Sequence, residues 1–100
     1  MLHTVNKSPF QTRTLESCLA HARKGSALLL IEDGVYAAGC GTPLEAKLQK
    51  ALESVTIYAL GPDLEARGIT QEQTIPGIRT VDYAGFVNLV VEHGIVQAWL

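Results

Sequence analysis

The sequence predicts a single α/β domain, a layered sandwich built on a mostly parallel sheet of about five strands. Three observations point there. Short apolar or β-branched runs alternate with stretches of helical periodicity, the order that βαβ units leave in a sequence. One run, SALLLIED at 26–33, is continuously apolar where it should alternate if one face met water, which suits a strand covered on both faces. The chain of 100 residues has no repeats, low-complexity tracts or linker, so one domain spans 1–100.

The elements follow in order. LHTV at 2–5 is a first short strand, and Pro9 holds Ser8 extended and ends regular pairing. TLESCLAHARKG at 14–25 is a helix with Thr14 as N-cap and Gly25 as stop. Its Leu15, Cys18, Leu19 and Ala22 repeat at i, i+3, i+4, i+7 and mark one apolar face. The run at 28–31 is the central strand, Asp33-Gly34 the turn that leaves it, and GVYAAGCGT a short turn or helix. A better helix covers 43–54, with Thr42 as cap, Pro43 at the first helical position and Leu44, Leu48, Ala51 and Leu52 as its stripe. VTIYAL at 55–60 is the next strand, GPDLEARG a turn running into a short helical piece, and ITQEQTIPGI a loop. RTVD at 79–82 is a short strand. The helix after it takes Asp82 as N-cap and Gly94 as stop, with Tyr83, Phe86, Val87 and Val90 as its predicted buried stripe. IVQAWL closes the chain as a strand.

Composition narrows the function. Apolar residues make up 47% of the chain and charged residues 18%, a greasy mix for a small monomer that predicts apolar surface covered by a partner. Net charge is −2, and the only adjacent basic pair is Arg23-Lys24. A protein that grips nucleic acid by itself needs clustered cations to neutralise phosphates, so direct nucleic-acid binding is not expected. No apolar run is long enough to span a bilayer, and none of signal-peptide type follows the start. A cytoplasmic protein with free thiols is expected.

Candidate chemistry comes from acids, cysteines and histidines. Glu32, Asp33, Asp63 and Asp82 follow predicted strands, where open parallel sheets bind ligands, and clustered carboxylates hold Mg²⁺. Each acid nevertheless has a turn or capping explanation, no lysine completes such a pocket, and no P-loop or GxGxxG is present, so no metal or cofactor is expected. His3, His21 and His93 lack ligand spacing. Cys18 and Cys40 lack the CxxC spacing of a zinc or redox motif. Cys18 sits on the apolar helix face, where burial quiets a thiol, although His21 three residues on is placed to make a Cys-His pair. Cys40, between glycines, is expected on an accessible loop.

Several segments together resemble the DsrH/TusB family: MLHTVNKSPF at the start, TLESCL at 14–19, LLLIEDGVYAA at 28–38, YALGPDLEARGI at 58–69, IPGI with VDYAGFV at 75–87, and VQAWL at the end. They keep their order and cover nearly the whole chain; NKSPF, ESCL and GPDL lean toward the DsrH branch. The resemblance implies a DsrE/DsrF-like α/β fold and a cytoplasmic subunit of a heterohexamer with DsrE/TusD-like and DsrF/TusC-like partners. It implies a relay of persulfide sulfur between donor and acceptor proteins, serving either dissimilatory sulfur oxidation or 2-thiolation of a tRNA wobble uridine. The principal carrier cysteine is implied on the DsrE/TusD-type partner. The ESCL match makes Cys18 the candidate persulfide-accepting thiol of this chain, DsrH-type members carrying a cysteine there and TusB-type members generally not; Cys40 inherits no role. Two readings stay open: a relay subunit with its own thiol, and a structural subunit that completes the complex. The acidic Mg²⁺ pocket is a remote third.

Overall fold

The computed structural model describes all 100 residues. Five strands, β1 (Leu2–Val5), β2 (Ala27–Leu30), β3 (Thr56–Leu60), β4 (Arg79–Val81) and β5 (Val96–Trp99), form one sheet in the order β4-β3-β2-β1-β5. All four pairings are parallel. The β2 strand lies in the middle, and Leu28, Leu29 and Leu30 are buried on alternate faces, as their unbroken apolar run predicts.

Four α-helices cover the sheet: α1 (Thr14–His21), α2 (Glu45–Ala51), α3 (Gly61–Ala66) and α4 (Tyr83–His93). They divide unequally. Leu15 and Cys18 of α1, Leu48 of α2 and Leu64 of α3 join Val5, Leu28, Leu30 and Ile57 in the larger core. On the opposite face Leu89 of α4 packs on Leu2, Ala27 and Leu29 in a smaller core.

Local chemistry sets most boundaries. Asp82 caps α4, its Oδ1 accepting from the Gly85 N–H at 2.8 Å, and Gly94 ends the helix at φ 70°. The Thr42 hydroxyl accepts from the Leu44 N–H, but regular helix begins only at Glu45. The first helix departs further from expectation. Arg13, not Thr14, is its N-cap, and no side chain caps it. It ends at His21, because Ala22 is already extended and the chain must turn to set the Ala27 N–H on the Met1 carbonyl. Gly25 lies beyond the helix at φ 89° and serves that turn. The GVYAAGCGT segment contributes to a 3-10 helix over Glu32–Ala38.

The largest correction concerns α4. Leu89 is the buried residue of this helix, and Phe86 and Val90, both in the expected stripe, are partly buried beside it, at i, i+3, i+4. Tyr83 and Val87, expected inside, are 61% and 60% exposed. Apolar side chains occupy more than half the circumference of this helix, so periodicity alone does not fix its phase.

Candidate functional site

Cys18 is fully buried. It lies in the larger core with Leu15, Val5 and Leu28, and burial pushes its thiol up to about 12. Such a group is a thiol, not a thiolate, at neutral pH, and an unreactive nucleophile. His21 does not relieve this. Its Nδ1 is 2.8 Å from the Ser17 carbonyl, its ring stands 5.7 Å from that of Trp99, and no hydrogen bond joins it to Cys18. Cys40 is exposed, as its glycine neighbours predict, with its backbone N–H bonded to the Gln73 carbonyl at 2.7 Å. Neither thiol lines a cavity.

The acids after the strands meet an arginine. Arg67 donates from Nε and Nη2 to Asp33 Oδ1 at 3.0 and 2.9 Å and from Nη1 to the Asp63 carbonyl at 3.2 Å. The Asp63 carboxylate also accepts the Glu32 N–H at 2.6 Å and thereby holds Glu32 at a positive φ of 51°. These acids tie the exit of β2 to α3. Asp82 is spent on its cap. No group of three or more His, Cys, Asp or Glu stands together as metal ligands do. Sequence reading missed Arg67, although its i+4 spacing from Asp63 was the available signal.

Two cavities open on the surface. One, of about 810 Å³, lies at the carboxyl ends of β3 and β4 between Pro62, Leu64, Ile69, Thr80 and the start of α4. The other, of about 670 Å³, lies at the amino ends of β1 and β2, under the end of α1, bordered by His3, His21 and Trp99. There the Trp99 indole donates to His3 Nδ1 at 3.1 Å.

The most extensive unsatisfied feature is apolar. Tyr83, Val87 and Val91 repeat at i, i+4, i+8 along the outer side of α4, and Val91 is 76% exposed. Val96 pairs with Leu2, which packs under α4, so Val96 shares that sheet face and extends the surface onto edge strand β5. Ile95 and Leu100 are exposed too. Exposed apolar side chains grouped in this way are a common feature of surfaces that meet other proteins.

A small all-parallel α/β domain with a buried thiol and one open apolar side is the class of protein that this fold and these side chains define. The comparisons name its kin. The family model "DsrH like protein" matches residues 7–96. Protein TusB of Pectobacterium parmentieri is 41% identical over 99 residues, covering 99% of this chain and 100% of that protein. Protein TusB of Shigella flexneri is 40% identical over 99 residues, with the same coverage. Among solved structures, the ychN protein of E. coli superposes with TM-score 0.75 at 17% identity, over 97% of each chain. Protein MTH1491 of Methanobacterium thermoautotrophicum gives TM-score 0.72 at 12% identity, over 97% of this chain and 95% of that one. At those identities the likeness is one of fold. The chain belongs to the DsrH/TusB family and is a sulfur-relay subunit.

Proposed function

We propose that this chain is a structural subunit of a cytoplasmic sulfur-relay complex serving 2-thiolation of a tRNA wobble uridine. It docks to DsrE/TusD-like and DsrF/TusC-like partners in a heterohexamer, and the carrier cysteine belongs to the DsrE/TusD-like partner. The observation that carries this reading is the burial of Cys18, which leaves the matched thiol without access or a thiolate. The open side of α4 and β5 supports docking, since interface cores are built from such apolar and aromatic side chains. The TusB name carried by relatives about 40% identical over full length favours thiolation over sulfur oxidation.

The ESCL match favours a second reading, in which Cys18 accepts sulfur. The Cys18 thiolate would attack the outer sulfur of a donor persulfide; a new S–S bond forms on Cys18, the donor's S–S bond breaks, and the donor leaves as a thiolate. That requires a partner to uncover α1. Transfer from a persulfidated donor through complexes carrying Cys18→Ala or Cys40→Ser separates the readings. Unchanged flux in both supports the structural subunit, and loss in Cys18→Ala alone establishes the acceptor.

A further inference from the structure

We propose that the cleft beneath the end of α1 binds a phosphate group, presented as inorganic phosphate or as a small phosphate monoester. Its border carries Arg23 and Lys24 together with the Met1 end of the chain, His21, His3 and Trp99. None of the chain's ten Asp and Glu residues lines it, although acids outnumber Lys and Arg in the sequence. Arg23 and Lys24 form no ion pair elsewhere; the ion-paired cations of this protein are Arg13, Lys47 and Arg67. Two cations without an ion-pair partner border the cleft and no carboxylate lines it, which gives the cleft a positive potential that favours an anion.

The inner wall is built. His3 is 4% exposed, and its Nδ1 accepts the Trp99 indole proton, so in the neutral ring the remaining proton lies on Nε2. Nε2 has no partner in the protein, and it is not sealed, because Asn6 Oδ1 is the only sealed side-chain polar atom without one. A buried ring held in one tautomer thus offers a free N–H at the cleft. The His21 Nδ1–H donates to the Ser17 carbonyl, so its neutral ring turns an unprotonated Nε2 to the rim, and the imidazole donor of the cleft is His3 alone. Guanidinium, ammonium and imidazole donors around one space match the multiple acceptor oxygens of a phosphate. Two exposed cations neutralise one phosphate and not a strand of them, so the ligand is small and not a polynucleotide. The space of about 670 Å³ admits a phosphate with an organic group attached.

Trp99 is the only tryptophan, so its fluorescence reports on the cleft directly. The full chain is titrated at low ionic strength with inorganic phosphate, adenosine 5′-monophosphate and adenosine. Saturable change with phosphate, absent with adenosine and weakened about tenfold or more in Arg23→Gln/Lys24→Gln, is expected, since each charge-assisted contact supplies that order of affinity. Tighter binding of the monophosphate than of phosphate identifies a phosphorylated metabolite as the ligand, and the reverse identifies free phosphate. Both cations are exposed, so the double variant folds. No saturation with either phosphate compound, or saturation unchanged in the double variant, overturns the proposal.

Discussion

The Trp99 indole N–H reaches 3.1 Å to Nδ1 of His3 and joins the last strand to the first through side chains as well as backbone. The two strands come from opposite ends of the chain, and β5 is an edge strand held only by β1. Trp99→Phe keeps most of the ring and removes the donor. Because His3 is buried, the orphaned acceptor is expected to cost about 1–3 kcal/mol. Urea denaturation measures it; a change below about 0.5 kcal/mol refutes a role for this bond in holding β5.

His3 also sets a pH dependence. Desolvation, then the nearby N-terminal charge, lowers its pKa below the usual 6.5. The Met1 amine, Arg23, Lys24 and His21 border the same cleft, and no carboxylate does. With the folded value depressed, the unfolded chain takes up a proton first as pH falls through 6.5, so stability declines below that pH and is fully present above it. Denaturation midpoints between pH 7.5 and 5.5 should fall in the wild type, and the slope should flatten in His3→Gln. An identical slope in that variant assigns the effect to other groups.

Thiol reactivity should divide cleanly. In the folded chain iodoacetamide is expected to label exposed Cys40 and spare buried Cys18, with both labelled in denaturant; mass spectrometry counts the adducts. Cys18→Ala should cost about 1 kcal/mol through a small cavity, and Cys18→Ser more, because it buries a hydroxyl in an apolar core. Fast labelling of Cys18 in the free chain removes the observation on which the structural-subunit reading rests.

Some features were legible because their causes are local. The apolar run at 28–31 announces a strand buried on both faces, and Asp82 with Gly94 brackets α4 through capping and a left-handed stop. What failed depends on partners distant in sequence. Gly34 reads as half of an Asp-Gly turn, yet its backbone lies against the end of β1, where a Cβ would run into the Val5 carbonyl oxygen. Gly34→Ala should therefore cost about 2 kcal/mol or more, a close-packing penalty and not a turn penalty, read from the unfolding midpoint. The Asp33–Arg67 pair likewise spans 34 positions, and nothing short-range announces it. The outer stripe of α4 was hidden for the opposite reason: its local signal was too strong. With apolar residues on both sides, two phases fit equally well, and only the position of the sheet selects Leu89 over Val87.

That outer stripe gives the last prediction. Val87 and Val91 contribute almost nothing to the chain's own core, so Val87→Asp and Val91→Glu should leave stability within about 0.5 kcal/mol of wild type. If the stripe is where the DsrE/TusD-like or DsrF/TusC-like partner sits, each change buries a charge at the centre of the contact. A loss of about 2 kcal/mol or more, roughly thirtyfold in affinity, is then expected. Co-purification and gel filtration with both partners read the outcome, and Glu53→Lys, exposed and well separated in sequence, controls for charge alone. The free wild-type chain should self-associate through the same surface, and Val87→Asp should render it monomeric. Full assembly of the Val87→Asp/Val91→Glu double variant would place the partners elsewhere and leave the open side of α4 without an occupant.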